Sequence, residues 1–130
     1  MRVFRVVFIK LTRCDLSGAQ LPGAVFKSAT LTNCTLSKTQ LPGAAFDCAT
    51  VMGNSNDGKS DCRGVNMQAA QFPCATVKYC DFSKAEDGTR ADMKNTHFAS
   101  STITYNNIND VDFTGSNYDH EFWSTFYPHL

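Results

Sequence analysis

From Leu11 to Val51 a large apolar residue recurs at every fifth position: Leu11, Leu16, Leu21, Phe26, Leu31, Leu36, Leu41, Phe46 and Val51. The rhythm returns at Met67, Phe72, Val77 and Phe82, and again at Met93, Phe98, Ile103, Ile108, Phe113 and Tyr118. Two positions before each sits a mostly small residue, among them Cys14, Ala19, Ala24, Ala29, Cys34, Thr39, Ala44, Ala49 and Thr96. A period of five matches neither the 3.6 of a helix nor the 2.0 of a strand. It predicts a coil with flat sides, in which each pentad supplies one side and turns its small and large residues inward.

A longer period lies on top of the first. The segments LTRCDLSGAQLPGAVFKSAT (Leu11–Thr30) and LTNCTLSKTQLPGAAFDCAT (Leu31–Thr50) agree at about two thirds of positions. Twenty residues are four pentads, so one turn has four sides, and such self-similarity marks a stacked array. The pentads resemble the Ala-Asp/Asn-Leu-x-x motif of the pentapeptide repeat family, over about residues 4–124 of the chain. They depart from it in having few Asn or Asp residues before the central Leu, and in two breaks of register. The resemblance implies an all-β fold, a right-handed four-sided parallel β-helix. Residues 1–130 are then one domain, with 120–130 as an aromatic C-terminal cap.

The breaks can be placed by alignment. AAFDCATV (Ala44–Val51) matches AQFPCATV (Ala70–Val77), a spacing of 26 rather than 20. Six residues are therefore inserted within MGNSNDGKSD (Met52–Asp61), whose Gly, Asn, Asp and Ser content is loop chemistry. A second break, of one residue, is expected near Ala85–Thr89, where Gly88 can absorb a bulge. On this register Phe26, Phe46, Phe72, Met93 and Phe113 share one inward column, and Leu11, Leu31, Val51, Val77 and Phe98 another. Leu16, Leu36 and Phe82 belong to a third, with Cys14, Cys34 and Cys80 stacked beside it. Pro22, Pro42 and Pro73 fit corners, since each lacks a donor. Coils about 4.8 Å apart then make a rod of about five to six turns.

Lys plus Arg equals Asp plus Glu, 12 each, so no net field attracts DNA or an acidic membrane. The charges are unevenly spread. Arg2, Arg5, Lys10, Arg13, Lys27 and Lys38 face only Asp15 before Phe46, and after Lys94 come Asp110, Asp112, Asp119 and Glu121 without a base. MRVFRVVFIK is a poor signal peptide, because Arg5 and Lys10 interrupt its apolar run. No stretch reaches the length of a membrane span. A reducing cytoplasm is the expected compartment, in which Cys14, Cys34 and Cys80 serve as small buried hydrophobes.

Catalytic, cofactor and metal sites are not expected. His97, His120 and His129 have no partner at metal-ligand spacing, and MGNSNDGKSD lacks the alternating acids of a calcium loop. Cys48 and Cys74 close pentads on the same side one turn apart, so they should face outward near 5 Å from each other, a candidate redox pair. Both ends of the chain carry apolar residues suited to contact: Phe4, Val6 and Phe8 at the start, and Phe122, Trp123, Phe126 and Tyr127 at the finish.

The leading function is therefore a non-enzymatic structural or protein-binding scaffold that associates with itself through its ends, head to tail or as a C-terminal dimer. Its partners are expected to be copies of itself or another protein, with no nucleic acid and no membrane. The family resemblance implies a second function, duplex-DNA mimicry that binds DNA gyrase and affects quinolone action, although a neutral chain with a basic first half suits it poorly. A third is a component of a larger assembly or an effector.

Overall fold

A computed structural model describes residues 4–54 and 60–117. It is a parallel β-solenoid. Among the described residues there are seven short strands and no helix: β1 (Lys10–Thr12), β2 (Thr30–Thr32), β3 (Thr50–Met52), β4 (Ser60–Asp61), β5 (Thr76–Lys78), β6 (Cys80–Asp81) and β7 (Thr102–Thr104). One sheet runs β1-β2-β3-β5-β7 and the other pairs β4 with β6, all parallel.

The pentad explains the local geometry. At most corners the amide of the small residue donates to the carbonyl of the preceding large one, as in Ala19 to Leu16, Ala24 to Leu21 and Ala49 to Phe46. The third turn position has positive φ, which suits glycine after proline in Pro22-Gly23 and Pro42-Gly43 (φ 68° and 69°). The remaining backbone bonds run from coil to coil, as in Leu16 N–H to Thr35 O and Leu41 N–H to Asn66 O.

Bridges fall at four places in each twenty residues: Arg5 with Val25, Lys10 with Thr30, Asp15 with Thr35, and Gln20 with Gln40. Each places the next residue in an inward column. Leu11, Leu31, Val51, Val77 and Ile103 form the first. Leu16, Leu36, Cys62, Phe82 and Ile108 form the second. Leu21, Leu41, Met67, Met93 and Phe113 form the third, and Phe26, Phe46, Phe72 and Phe98 the fourth. Almost every member from the second coil on is under 10 % exposed, the exceptions being Ile108 and Phe113 in the last.

Two columns differ from the sequence expectation. Ile103, not Phe98, follows Val77, and Phe98, not Met93, follows Phe72. The cause is the second break. It inserts six residues rather than one, since Phe82 is followed by Met93 on the next side, with the turn closed by bonds from Ala85 N–H to Thr89 O and Gly88 N–H to Ala85 O. Six residues and one residue leave the same five-residue phase, so the pattern alone reads both alike. The column of small residues is also interrupted, because Ser60 stands between Cys34 and Cys80. The first break is narrower than Met52–Asp61, for Met52 ends β3 and Ser60 and Asp61 form β4. The expected cap at 120–130 lies outside the described residues.

The small-residue slots do more than save space. In five of them a polar atom donates to the carbonyl of a large residue one coil back: Cys34 Sγ to Leu11 O, Thr39 Oγ1 to Leu16 O, Cys80 Sγ to Val51 O, Thr96 Oγ1 to Met67 O and Asn106 Nδ2 to Val77 O. Cys, Thr and Asn there are thus bonded as well as packed, which meets the demand that buried polar groups find partners.

Candidate interaction surfaces

The two insertions flank one side of the solenoid, the side whose outward residues are Asp15, Thr35, Asp61, Asp81 and Asn107. The second insertion overhangs this side and walls an open groove of about 580 Å³, lined by Ser17, Thr35, Ser37, Lys38, Asp61, Arg63 and residues 85–87. Four of its five charged side chains form two ion pairs, and Glu86 adds a further negative charge. Arg63 donates to both oxygens of Asp61 at 3.0 and 3.1 Å. Partial burial raises the Asp61 carboxyl, but the hydrogen bonds and charge of Arg63 carry it net below the usual carboxylate range. Lys38 Nζ lies 2.6 Å from Asp87, and its hydrogen bond, followed by those from Thr89, holds Asp87 well below that range.

Gly64 seats the overhang on the body. A Cβ there would meet Thr89 O at 3.0 Å, Ala85 Cβ at 3.1 Å and Lys38 Cγ at 3.2 Å, at φ +67°. Gly43 has nearly the same φ, +69°, but open space. Gly64→Ala should therefore cost about 2–3 kcal/mol and Gly43→Ala about 1 kcal/mol. Urea unfolding of the two variants measures the difference, and equal costs would remove the packing role of Gly64.

The N-terminal end is the second surface. Phe8 is 83 % exposed, and Phe4, Val7 and Ile9 lie between 37 and 48 %. Val6 turns inward against the core, while Phe4 meets Phe26 at 5.7 Å between ring centroids. Of the predicted contact residues at this end, Phe4 and Phe8 are thus open and Val6 is half-buried. Among the described residues β1 pairs only with β2, and none pairs with its other edge. Bare edges and exposed apolar side chains both favour association. Phe122, Trp123, Phe126 and Tyr127 lie outside the described residues.

The opposite charge pole is weaker than the order of residues suggests. Asp110 has Lys84 Nζ at 3.9 Å, its carbonyl accepts from Arg90, and Asp92 has Lys94 at 3.5 Å. Sequence order hid this, because the bases come from the insertion and the coil before the acids.

Cys48 and Cys74 stand exposed at the same corner of successive coils, with Cα atoms 4.6 Å apart and their sulfurs at bonding distance. The other four cysteines turn inward. A hydrogen bond with the Cys80 thiol and complete burial push the Cys62 thiol well above its ordinary range, so Cys62 stays a thiol at neutral pH. Tyr79 and Tyr105 stack at 5.0 Å on the outer surface, a pair that sequence reading missed. Both follow a pentad's central residue by two, and that offset was the available signal. No cluster of three or more metal-ligating side chains occurs among the described residues, and no helix there is long and apolar enough to cross a membrane.

Comparison with known proteins agrees with this geometry. Residues 9–46 match the family model for pentapeptide repeats as eight copies. A sequence search of curated proteins finds no match. Among solved structures, the pentapeptide repeat protein Rfr23 from the cyanobacterium Cyanothece 51142 aligns over 89% of this chain and 84% of its own, with TM-score 0.56 and 15% identity. A trypsin-treated form of QnrB1, a plasmid-mediated fluoroquinolone resistance protein, aligns over 91% of this chain and 49% of its own at TM-score 0.35 and 21% identity. A pentapeptide repeat protein from the Arabidopsis thaliana thylakoid lumen aligns over 84% and 61%, at TM-score 0.32 and 22% identity. The first likeness shows the fold, and the other two superpose too loosely to add to it. Residues 9–46 thus carry eight recognised pentapeptide repeats, the same register continues through both insertions to Asp112, and in fold the chain is similar to pentapeptide repeat proteins.

Proposed function

We propose that this protein is a non-enzymatic scaffold that binds protein, and that its N-terminal end is the contact surface. The observation that carries this reading is the open run Phe4, Val7, Phe8 and Ile9, on a coil whose outer strand edge pairs with none of the described residues.

The finer reading is self-association in the cytoplasm, with the basic, apolar start meeting the acidic, aromatic finish of a second copy. A head-to-tail contact of this kind is heterologous and can extend into filaments. The ion pairs at Asp110 and Asp92 reduce the electrostatic share of such a contact. Duplex mimicry draws less support, for the acids here alternate with Lys38, Arg63, Lys84 and Lys94 instead of forming a continuous negative strip.

Sedimentation velocity tests the reading. The full chain should associate at low salt and dissociate as salt is raised. Phe8→Asp should weaken association by about tenfold or more, since it puts a charge in the apolar centre of the contact. Removal of residues 120–130 should abolish it. A monodisperse monomer at high protein concentration and low salt overturns self-association.

A further inference from the structure

We propose that Cys48 and Cys74 form a reversible disulfide that staples two neighbouring coils across the first insertion. Interior packing accounts for the other four cysteines, which are buried or half-buried and lie in inward slots. It does not account for these two, which are exposed at a corner where nothing apolar needs filling.

Their placement follows from the coil itself. Backbone bonds from Ser28 N–H to Asp47 O, Cys48 N–H to Pro73 O and Cys74 N–H to Ala99 O stack Ser28, Cys48, Cys74 and Ser100 in one corner column. All four have the same left-handed backbone, with φ of 55°, 54°, 51° and 56°. Equal backbones one coil apart aim their Cβ atoms the same way, and the Cα separation of 4.6 Å falls within the usual disulfide range. The two thiols can therefore be joined without moving the backbone. The serines in the coils before and after show that this corner does not require cysteine.

The chemistry is thiol–disulfide exchange with a small disulfide oxidant such as oxidised glutathione. The thiolate of one cysteine, having lost its proton to water, attacks the oxidant and releases one glutathione thiolate. The second cysteine, also deprotonated, attacks the protein sulfur of the mixed disulfide and releases the other. Two electrons pass to the oxidant and two protons to solvent. The ring so closed contains residues 49–73 and hence the whole first insertion, the place where the repeat is interrupted.

The full chain should be equilibrated in buffers of oxidised and reduced glutathione, alkylated, digested and mapped by mass spectrometry. The expected result is a Cys48–Cys74 cross-linked peptide in oxidising buffer, lost in reducing buffer, with the thermal midpoint higher by roughly 10 °C in the oxidised form. The variant Cys48→Ser/Cys74→Ser should show no midpoint difference between the two buffers. Full alkylation of both thiols after oxidation, glutathione adducts without the cross-link, or a link to a different cysteine would each overturn the proposal.

Discussion

Phe46→Ala is expected to destabilise the protein by about 3–5 kcal/mol. Phe46 is fully buried and sits between Phe26 and Phe72, with ring centroids 4.9 and 4.7 Å away and planes within 3° of parallel. Removing it takes away the apolar area of one ring and the stacking on both of its faces. The site collapses poorly, because the coils above and below are held at fixed spacing by their own hydrogen bonds. Leu16→Ala provides the comparison. Leu16 is half-buried in the first coil, where one side of the column is open, so its loss should cost about 1–2 kcal/mol. Urea unfolding followed by circular dichroism measures both. A Phe46→Ala cost below that of Leu16→Ala would contradict a continuous phenylalanine column.

Asn106→Leu should cost about 2–4 kcal/mol, although it puts a larger apolar residue into the core. Asn106 is fully buried, its Oδ1 accepts from Cys80 N–H at 3.0 Å, and its Nδ2 donates to Val77 O at 2.9 Å. Leucine removes both partners and leaves a buried amide and a buried carbonyl unpaired, each costing about 1–3 kcal/mol. Asn106→Ser should recover about half the loss, since Ser60 in the same column shows that a hydroxyl there can reach a backbone carbonyl. Equal stability of Asn106→Leu and the parent protein would show that these bonds contribute nothing.

Inward positions were legible because each pentad contributes one large and one small residue whatever its outer residues are. Phe26, Phe46 and Phe72 fall in one inward column as expected. Phe98 and Met93 were misplaced because a five-residue pattern retains only the remainder of an insertion's length. Cys62 escaped notice as a central residue for a related reason, since it is small and follows directly on the first insertion. Asn106 looked like loop chemistry, and only its position two before Ile108 marks it as interior. The groove over Asp61 was not legible at all. It depends on Ala85, Glu86 and Asp87 folding back over a coil twenty or more residues earlier in the chain.

The direction of the backbone hydrogen bonds has a mechanical consequence. Apart from the turn bonds at the corners, they point along the axis and join one coil to the next, from Val6 to Val25 through Asp112 to Ala91. Tension applied between the two ends would load a single coil interface at a time. The rod would then peel open in steps instead of resisting as one unit, and a bond between Cys48 and Cys74 would lock the interface between their two coils against such a step.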